Sequence, residues 1–504
     1  MLFAALATVS DALAATSKRG EKATLIAAAL RQMDPGEVAA AVGFLTGAPV
    51  QGRIGVGWAT MRSVRPDPAV EPTLTIAEVD GAIDELAAMT GSGVVAARRT
   101  LLTDVMARAT APEQRLLWGA LGGELRHGAL DGVMVEAIAK AAAVPVGHVR
   151  RAHMLSGDLG SAAVAALDGG EPALAAFTMA PGRAVQPMLA APASDVGEAL
   201  AATGQASVEW KLDGARIQAH RNGGVVRLFT RNLNEVTARL GTVASVVAGL
   251  PGGDLVLDGE VLGVDDEGAP RRFQDTMGDF SAEGPTLRGA DLSAYFFDVL
   301  HAGGSPILDE PLAVRREVLM TVVPASARLP SIVTADADEA GAFLDRAVAA
   351  GHEGVMVKAL DAPYDAGRRG GAWRKVKPVH TLDLVVLAAE WGHGRRTGWL
   401  SNLHLGARGD GGEWVMVGKT FKGLTDELLT WQTEALQGIA VGTEDGFVVH
   451  VRPELIVEIA LDGVQASTRY PGGVALRFAR VRRYRPDKTA ADADHITTVQ
   501  AMLR

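Results

Sequence analysis

The spacing of apolar residues along the chain first indicates a helical region. From the N-terminus to about residue 180, apolar residues recur at helical intervals, as in Ala82–Ala87 and Leu116–Leu121. Few stretches in this region alternate as strands do. The pattern predicts an all-helical domain over residues 1–180.

From Val208 the pattern changes to an alternation of apolar and polar residues, which is typical of strands. Helical stretches lie between the strand candidates, near Glu235–Val247 and Ala340–Ala350. We therefore predict an α+β domain over residues 181–378. Its predicted strands are Val208–Leu212, Val225–Phe229, Leu255–Leu262, Ala294–Leu300, Gly354–Val357 and Trp373–Val376.

After Pro378 short strands alternate with tight turns, and one helix is predicted at Thr425–Leu436. The number and length of these strands fit a small, closed or partly open, five-stranded barrel over residues 379–504. The strand candidates are Leu382–Ala389, Leu403–Ala407, Glu413–Gly418 and Leu455–Leu461.

Composition narrows the chemistry that this chain can perform. Its 504 residues, 48% hydrophobic and 21% charged, suit several globular domains. Cysteine is absent, which excludes disulfide scaffolds, cysteine-ligated zinc, iron–sulfur clusters and thiol catalysis. The apolar N-terminus lacks a basic start and is interrupted by Asp11, so we predict a helix of a cytoplasmic protein there. No run of about 18 apolar residues predicts a membrane span.

The net charge of −10 hides local basic segments. Residues 365–377 carry a net charge of +4, and residues 477–488 carry +5. Such patches on an acidic protein can bind nucleic acid by releasing phosphate counterions. Lysine is scarce, with ten among the 49 Lys and Arg residues. Because arginine cannot lose its proton, these few lysines are the candidate amine nucleophiles.

The sharpest signal for chemistry is the segment EWKLDGAR at residues 209–216. Alternation places Glu209, Lys211 and Asp213 on one strand face, and the following glycine permits a turn that brings Arg216 back towards them. A lysine between two acids is also compatible with a solvated strand face, so the interpretation depends on the segments that accompany it.

Further segments supply charges of both signs. Lys375 and Lys377 share one face of a strand, while Glu260 and Glu353 stand beside two other strands. Two carboxylates with converging cations describe a site for a magnesium-bound nucleotide, because Mg²⁺ takes few protein oxygens and shares phosphate oxygens.

Plain structural roles remain open for several of these residues. A strand-end glutamate taken singly is more often a surface acid. Phe297, Trp210 and Trp373 are more often core residues, and Lys358 fits a solvated strand end.

In this order, the segments resemble the nucleotidyltransferase motifs of ATP-dependent DNA ligases. The resemblance implies a helical DNA-binding domain, an α+β nucleotidyltransferase domain that carries out adenylation, and a C-terminal OB-fold domain. It covers nearly the whole chain, although Ala479 stands where many family members have proline. It extends to RNL at 231–233, YFFDVL at 295–300, GKTF at 418–421, PELIVE at 453–458, RFAR at 477–480, RPDK at 485–488 and, in the helical region, GGELRHG at 122–128.

The resemblance implies a reaction in three steps. Lys211 attacks the α-phosphate of ATP and becomes adenylylated, the AMP passes to a 5′-phosphate at a nick in duplex DNA, and the 3′-hydroxyl then displaces the AMP. A lysine with a pKa of about 10.4 is neutral in roughly one of 2,500 molecules at pH 7. We therefore expect surrounding cations to disfavour the ammonium form.

The resemblance also implies a role for each surrounding residue. Glu209 would read the adenine amino group, and Phe297 would stack on the base. Glu260 and Glu353 would serve the ribose and Mg²⁺, with Glu260 in both roles. The predicted phosphate-side residues are Arg216, Arg231, Arg369, Lys375 and Lys377, and the residues that orient the leaving pyrophosphate are Asp487 and Lys488. These last two lie on a barrel that we expect to close for the first step and to move away for DNA.

Of three other interpretations, the first fails and two stay open. NAD-dependent DNA ligases share the lysine motif, but they typically carry a cysteine-ligated zinc module, which this chain cannot build. RNA-capping enzymes and RNA ligases share the catalytic chemistry. A non-catalytic scaffold that binds nicks is the third. The favoured interpretation is a monomeric ATP-dependent ligase acting with Mg²⁺ on nicked double-stranded DNA.

Overall fold

The computed structural model describes the chain except residues 53, 124, 126, 129–130, 266–269, 272–291, 367–368 and 504, and the side chains of residues 58, 59 and 369. The predicted order of a helical, a mixed and a strand-rich region is confirmed. Among the described residues, every helix is too short or too polar to cross a lipid bilayer. The N-terminal helices are α1 (Phe3–Ala15), α2 (Arg19–Leu30), α3 (Pro35–Thr46), α4 (Trp58–Ser63), α5 (Ile76–Ala88), α6 (Val94–Arg108), α7 (Ala111–Gly122), α8 (Asp131–Ala142), α9 (Val146–Ser156) and α10 (Leu159–Ala175).

Two of these helices begin with reciprocal caps that their sequences encode. Thr75 and Thr110 precede α5 and α7, and each exchanges hydrogen bonds with the glutamate three residues further on, Glu78 or Glu113. The caps satisfy backbone N–H groups that would otherwise lack partners at the helix start. The apolar helix faces then pack around one buried core.

Helix α9 joins the helical region to the middle region. Arg151 on α9 donates to both carboxylate oxygens of Asp309, at 2.7 and 2.6 Å. Met154 and Leu155 pack in one apolar cluster with Trp373 of the middle region. The helical region is therefore anchored beside the cleft described below.

Two five-stranded sheets form the middle region, in the orders β1-β10-β9-β2-β8 and β4-β3-β5-β6-β7. The strands are β1 (Leu189–Pro192), β2 (Ala206–Lys211), β3 (Ala215–Asn222), β4 (Val225–Thr230), β5 (Leu255–Gly263), β6 (Leu292–Ala302), β7 (Ser305–Pro306), β8 (Ser331–Thr334), β9 (Gly354–Ala359) and β10 (Arg369–Val376). The helices are α11 (Val196–Thr203), α12 (Gly241–Gly249), α13 (Leu312–Val322) and α14 (Ala337–Ala349).

All six strands predicted for this region are present, but the helix predicted over Glu235–Val247 begins later, at Gly241. Residues 235–236 instead turn back onto β4, because the Val236 N–H donates to the Leu228 carbonyl at 2.8 Å. The sequence prediction also missed β3, although residues 215–220 alternate. In that strand Gln218, His220 and Arg221 are buried, so its polar side chains do not face solvent as alternation would suggest.

The C-terminal region is a strand-rich barrel domain, with more strands than the five predicted. Its main sheet has seven strands, because β11 is long enough to pair with β12, β15 and β16. Two missed strands lack apolar alternation, since β14 is fully exposed and β19 is rich in arginine. The elements are β11 (His380–Trp391), β12 (Leu400–Arg408), β13 (Trp414–Thr420), α15 (Asp426–Gly438), β14 (Ala440–Glu444), β15 (Val448–Val451), β16 (Ile456–Leu461), β17 (Gly463–Ala466), β18 (Val474–Arg477), β19 (Arg480–Tyr484) and α16 (Ile496–Ala501).

Candidate active site

Strand pairing brings three of the sequence segments together. β2 runs antiparallel to β9, so Lys211 lies opposite Gly354, and the Glu353 N–H donates to the Lys211 carbonyl at 3.0 Å. β9 pairs in turn with β10, which places Lys375 opposite Met356. One sheet thus brings together Lys211, Glu353 and the lysine pair at the end of β10.

Two glycines permit the tight connections around this sheet. A Cβ atom on Gly214, between β2 and β3, would lie 2.4 Å from the Val261 carbonyl oxygen. A Cβ atom on Gly354 would lie 2.2 Å from the Val376 carbonyl oxygen, and the φ of Gly354 is 142°. Only a residue without Cβ fits at either position. The turn at Gly214 carries the chain from one sheet to the other.

A cavity of about 410 Å³ lies between the two sheets and the barrel, a size that suits a nucleotide. Side chains from both sheets line it, and Phe478 of the barrel closes one side. Seven cationic side chains and four carboxylates face the cavity, so its walls favour a polyanion. The cations are Lys211, Arg216, Arg231, Lys358, Lys375, Lys377 and Arg477, and the carboxylates are Glu209, Asp213, Glu260 and Glu353.

Glu353 is shared between two lysines in this cavity. Its Oε2 contacts Lys211 Nζ and lies 2.8 Å from Lys377 Nζ. Burial acts to raise the pKa of Glu353, but the two lysines outweigh burial and hold that pKa below its usual value. Glu353 is therefore charged at neutral pH and pairs with the candidate nucleophile.

Glu260 lies in a different electrostatic environment. It stands on β5 opposite Arg216 of β3. Burial raises the pKa of Glu260 to about 7, although Lys211 and Arg216 act to lower it. A cation bound beside Glu260 would stabilise the charged form of this buried carboxylate.

Two aromatic rings and a buried lysine form another wall of the cavity. The rings of Phe297 and Trp373 lie 6.1 Å apart in an edge-to-face arrangement. Lys358 Nζ lies 4.3 Å from both ring centroids and 2.5 Å from Glu209 Oε2. Glu209 also accepts a hydrogen bond from Ser207 at 2.9 Å. The prediction of a solvated strand end at Lys358 is wrong, because this ammonium is buried and is held by a carboxylate and two rings.

Arg216 is held by a network that ties the two sheets together. It donates to both oxygens of Asp258, at 3.0 and 2.7 Å, and to the Met188 carbonyl at 2.6 Å. The hydroxyl of Tyr364 donates to the same carboxylate at 2.7 Å. Most N–H groups of the guanidinium thus donate to protein acceptors, and these hydrogen bonds fix Arg216 in the cavity wall.

The barrel reaches the cavity through Arg477 and Phe478. Arg477 donates to Asp213, in the lysine motif, at 2.8 Å. Phe478 is exposed and has a φ of 54°, the left-handed region that a bulky residue seldom adopts. A second contact joins the domains, where Lys377 lies 3.6 Å from Asp462. The barrel therefore covers the mouth of the cavity beside Lys211.

The structure brings most of the predicted site residues to one cavity. Among the described residues, Asp487 and Lys488 lie outside its lining and pair with other residues of the barrel. The side chain of Arg369 lies outside the described residues, although its backbone belongs to β10. The predicted residues that line the cavity are Glu209, Lys211, Arg216, Arg231, Glu260, Phe297, Glu353, Lys375 and Lys377.

Sequence reasoning missed residues that complete the site. Lys358 is one of only ten lysines and directly follows the predicted strand Gly354–Val357 that comes after Glu353, and these two signals together could have identified it. Asp258 and Tyr364 are separated by 106 residues, and no local pattern links them. Arg477 belongs to a recognised segment, but its contact with Asp213 depends on how the barrel is placed.

Family models match three stretches of this chain. Residues 187–377 match a family model described as ATP dependent DNA ligase domain, residues 396–488 match ATP dependent DNA ligase C terminal region, and residues 51–139 match DNA ligase N terminus.

Curated relatives match over the full length. A probable DNA ligase of Saccharopolyspora erythraea is 56% identical over 99% of this chain and 98% of its own. A probable DNA ligase of Rhodococcus jostii is 54% identical over 100% of both chains. A solved structure titled Pmar-Lig_PreS3 shares the fold, with a TM-score of 0.63 and 19% identity over 95% of this chain and 99% of the other. The chain belongs to the ATP-dependent DNA ligases.

Proposed function

We propose that this ligase seals nicks in duplex DNA through a covalent lysyl-AMP intermediate on Lys211. One observation carries the proposal: the Lys211 amine lies in the wall of a nucleotide-sized cavity in which seven cations face four carboxylates. A triphosphate is the kind of polyanion that such a wall attracts. The other cations then stabilise the charge on the phosphoryl group that is transferred.

In the first step Lys211 Nζ loses a proton to solvent, and its lone pair attacks the α-phosphorus of ATP. The bond from that phosphorus to the bridging oxygen breaks, and pyrophosphate leaves. The carboxylate of Glu353 contacts Lys211 Nζ, so this contact must open before the attack. Lys377 lies 2.8 Å from the same carboxylate and keeps Glu353 paired when Lys211 leaves it.

In the second and third steps the AMP passes to the DNA 5′-phosphate, and the 3′-hydroxyl then displaces it. Arg231 and Lys375 line the cavity and are assigned to the phosphates, as is Arg369 from the family resemblance. Asp487 and Lys488 are assigned to the leaving pyrophosphate. This assignment requires a barrel placement in which they face the nucleotide.

The aromatic wall is assigned to the adenine. Phe297 would stack on the base, and Glu209 would accept a hydrogen bond from its amino group. The buried ammonium of Lys358 fixes the carboxylate of Glu209 at 2.5 Å and so keeps this acceptor in place. The Asp258 pair holds Arg216 in the cavity wall, where it is assigned to the phosphates.

Glu260 and Glu353 are the residues that would hold Mg²⁺. Among the described residues, no group of three or more His, Asp or Glu could hold a metal ion. Two carboxylates fit Mg²⁺, since it keeps several waters and binds substrate phosphates. The raised pKa of the buried Glu260, about 7, marks a carboxylate that a cation would stabilise. Bound Mg²⁺ would neutralise charge on the phosphates of ATP.

The helical region is assigned to duplex binding by a single copy of the chain. A groove of about 500 Å³ there is lined by Arg62, Arg65, Arg115 and Trp118. The Arg65 guanidinium lies 5.1 Å from the Trp118 ring centroid. Arginines of this kind bind backbone phosphates without reading the sequence. The predicted segment 122–128 adjoins the groove, but residues 124 and 126 lie outside the described residues.

A nick-sealing assay tests the proposal. A duplex with one labelled 5′-phosphate nick is incubated with the protein, Mg²⁺ and either ATP or NAD. We expect sealing with ATP, none with NAD, and none with Lys211→Ala. Sealing by Lys211→Ala, or sealing supported by NAD alone, would overturn the proposal.

A further inference from the structure

The charged residues at the C-terminal end of the barrel are paired with one another. Lys488 Nζ lies 2.6 Å from Asp383 Oδ2. Arg485 lies between two carboxylates, 3.1 Å from Asp383 and 2.6 Å from Asp487. The hydrogen bond from Arg485 lowers the pKa of Asp487 to about 2. The two residues assigned to pyrophosphate thus already have partners of opposite charge.

Asp383 is fixed where it meets Lys488. It lies on β11, and its N–H donates to the Asp494 carboxylate at 2.8 Å. The Asp494 N–H donates back to the Asp383 carbonyl at 2.8 Å. The Asp383 side chain is 14% exposed, against 30% for Lys488. The main chain of Asp383 is therefore fixed, while Lys488 reaches its carboxylate from a more accessible position.

The same barrel meets the cavity with other residues. Arg477 and Phe478 line the cavity, whereas Lys488 is paired elsewhere. An ammonium that is bonded to a half-buried carboxylate must leave it before it can bind a triphosphate. The pair with Asp383 therefore competes with ATP for Lys488.

We propose that Asp383 is a positioning residue that holds Lys488 in a waiting position and releases it when a triphosphate occupies the cavity. The inference rests on the proposed function, and it adds a regulatory element to the same site. While Lys488 is paired with Asp383 it cannot bind the triphosphate. The apparent affinity for ATP therefore falls with the fraction of molecules in which Lys488 is free to bind. Asp383 thus raises the ATP concentration needed for the first step and leaves the rate at saturating ATP unchanged.

The test is single-turnover self-adenylylation as a function of ATP concentration, with labelled ATP and Mg²⁺. We expect Asp383→Asn to lower the half-saturating ATP concentration about fivefold at an unchanged maximal rate. In a Lys488→Met background the same substitution should have no effect. Glu458→Gln is the matched control, because Glu458 contacts Arg482, Arg483 and Arg485 but not Lys488, and it should keep the wild-type value.

Several outcomes would overturn the inference. They are an unchanged half-saturating concentration in Asp383→Asn, a lower maximal rate in that variant, or the same gain in the Lys488→Met background. Asp383→Ser provides a second test should Asp383→Asn fail to fold, and the same shift is expected from it. Wild-type protein is measured in parallel. If it forms no adduct, the proposed function fails, whereas a normal wild-type adduct with unshifted variants refutes only the role of Asp383.

Discussion

The cleft around Lys211 and the C-terminal segment 477–488 carry similar residues in contrasting arrangements. In the cleft, residues far apart in sequence meet because strands β2, β9 and β10 lie side by side. In the C-terminal segment, Arg477 reaches the cleft, while Lys488 pairs within the barrel. The middle region builds the cleft around Lys211. Which barrel residues reach this cleft depends on the placement of the barrel.

The contrast shows that the cleft and the barrel residues beside it are positioned by different kinds of interaction. Hydrogen-bonded strands position Glu353 beside Lys211. The barrel is joined to the cleft through ion pairs such as Arg477 with Asp213. Partly exposed ion pairs are weak, so they suit the domain movement that the proposed mechanism requires. Substitutions within the cleft should therefore have larger effects than substitutions on the barrel.

The largest effect is expected for Glu353→Gln. The substitution removes the carboxylate between Lys211 and Lys377 and one of the two residues assigned to Mg²⁺. We expect the rate of self-adenylylation at saturating ATP to fall about 10²- to 10³-fold, the usual cost of losing one electrostatic group of an active site. Glu339→Gln, on an exposed position of α14, is the control. A loss below threefold would contradict the assignment.

Lys358→Met should have the next largest effect, on stability. It leaves the buried carboxylate of Glu209 with only the more distant Arg316, 3.5 Å away, which costs about 3 kcal/mol of unfolding free energy. Urea denaturation measures the loss. Glu209→Gln combined with Lys358→Met should recover much of it, because the pair is then neutral. If Lys358→Met is as stable as the wild type, the ammonium is not held as described.

Arg477→Ala probes the connection between the cleft and the barrel. Because Arg477 pairs with Asp213 across the domain boundary, its loss should slow the first step about tenfold through weaker closure of the barrel. The effect is measured by single-turnover adenylylation. Arg452→Ala, which removes an exposed pair with Glu454, serves as the control and should leave the rate unchanged. Equal rates for both variants would show that this contact does not matter for closure.

The smallest effect is expected at Glu390, a carboxylate of the barrel that does not line the cavity. Burial alone would raise the pKa of Glu390, but hydrogen bonds from Lys419, His404 and Asn402 outweigh it and lower the pKa to about 2. Since this pKa lies below the unfolded value of about 4.3, the bonds stabilise the fold above pH 4.3, and that stability is lost as the pH falls towards 2.

Glu390→Gln should therefore cost about 1 kcal/mol at pH 7. The difference between the unfolding temperatures of variant and wild type should narrow between pH 5 and pH 3, as calorimetry can measure. A difference that is constant over this range would show that the charge of Glu390 is not responsible.

Much of the cleft could be predicted from sequence because strand alternation determines which side chains share a face. The alternation at Lys211 and at Lys375 was sufficient to place both on their strands, and β2, β9 and β10 are neighbours in the sheet. The prediction missed β3, whose residues 215–220 alternate, and the pattern did not indicate that Gln218 and Arg221 are buried and bind backbone carbonyls. It also failed at Lys358, because burial of a lysine depends on the carboxylate and rings that other segments supply.

The partners within the barrel could not be predicted for a different reason. Lys488 and Asp383 are 105 residues apart, on segments that a sheet of seven strands brings together. Sequence pattern marks a basic segment, but it carries no information on which carboxylate each cation meets. The position of a domain relative to its neighbour is likewise set by weak contacts at the interface, and not by periodicity.

The most direct test is to locate the covalent AMP. Wild-type protein incubated with ATP and Mg²⁺ would be digested and its peptides mapped by mass spectrometry, alongside Lys211→Arg freed of any bound nucleotide. We predict that the wild type carries one AMP on the peptide containing Lys211 and that the variant carries none. An AMP found on another lysine, or an equal yield of adduct in Lys211→Arg, would contradict the account.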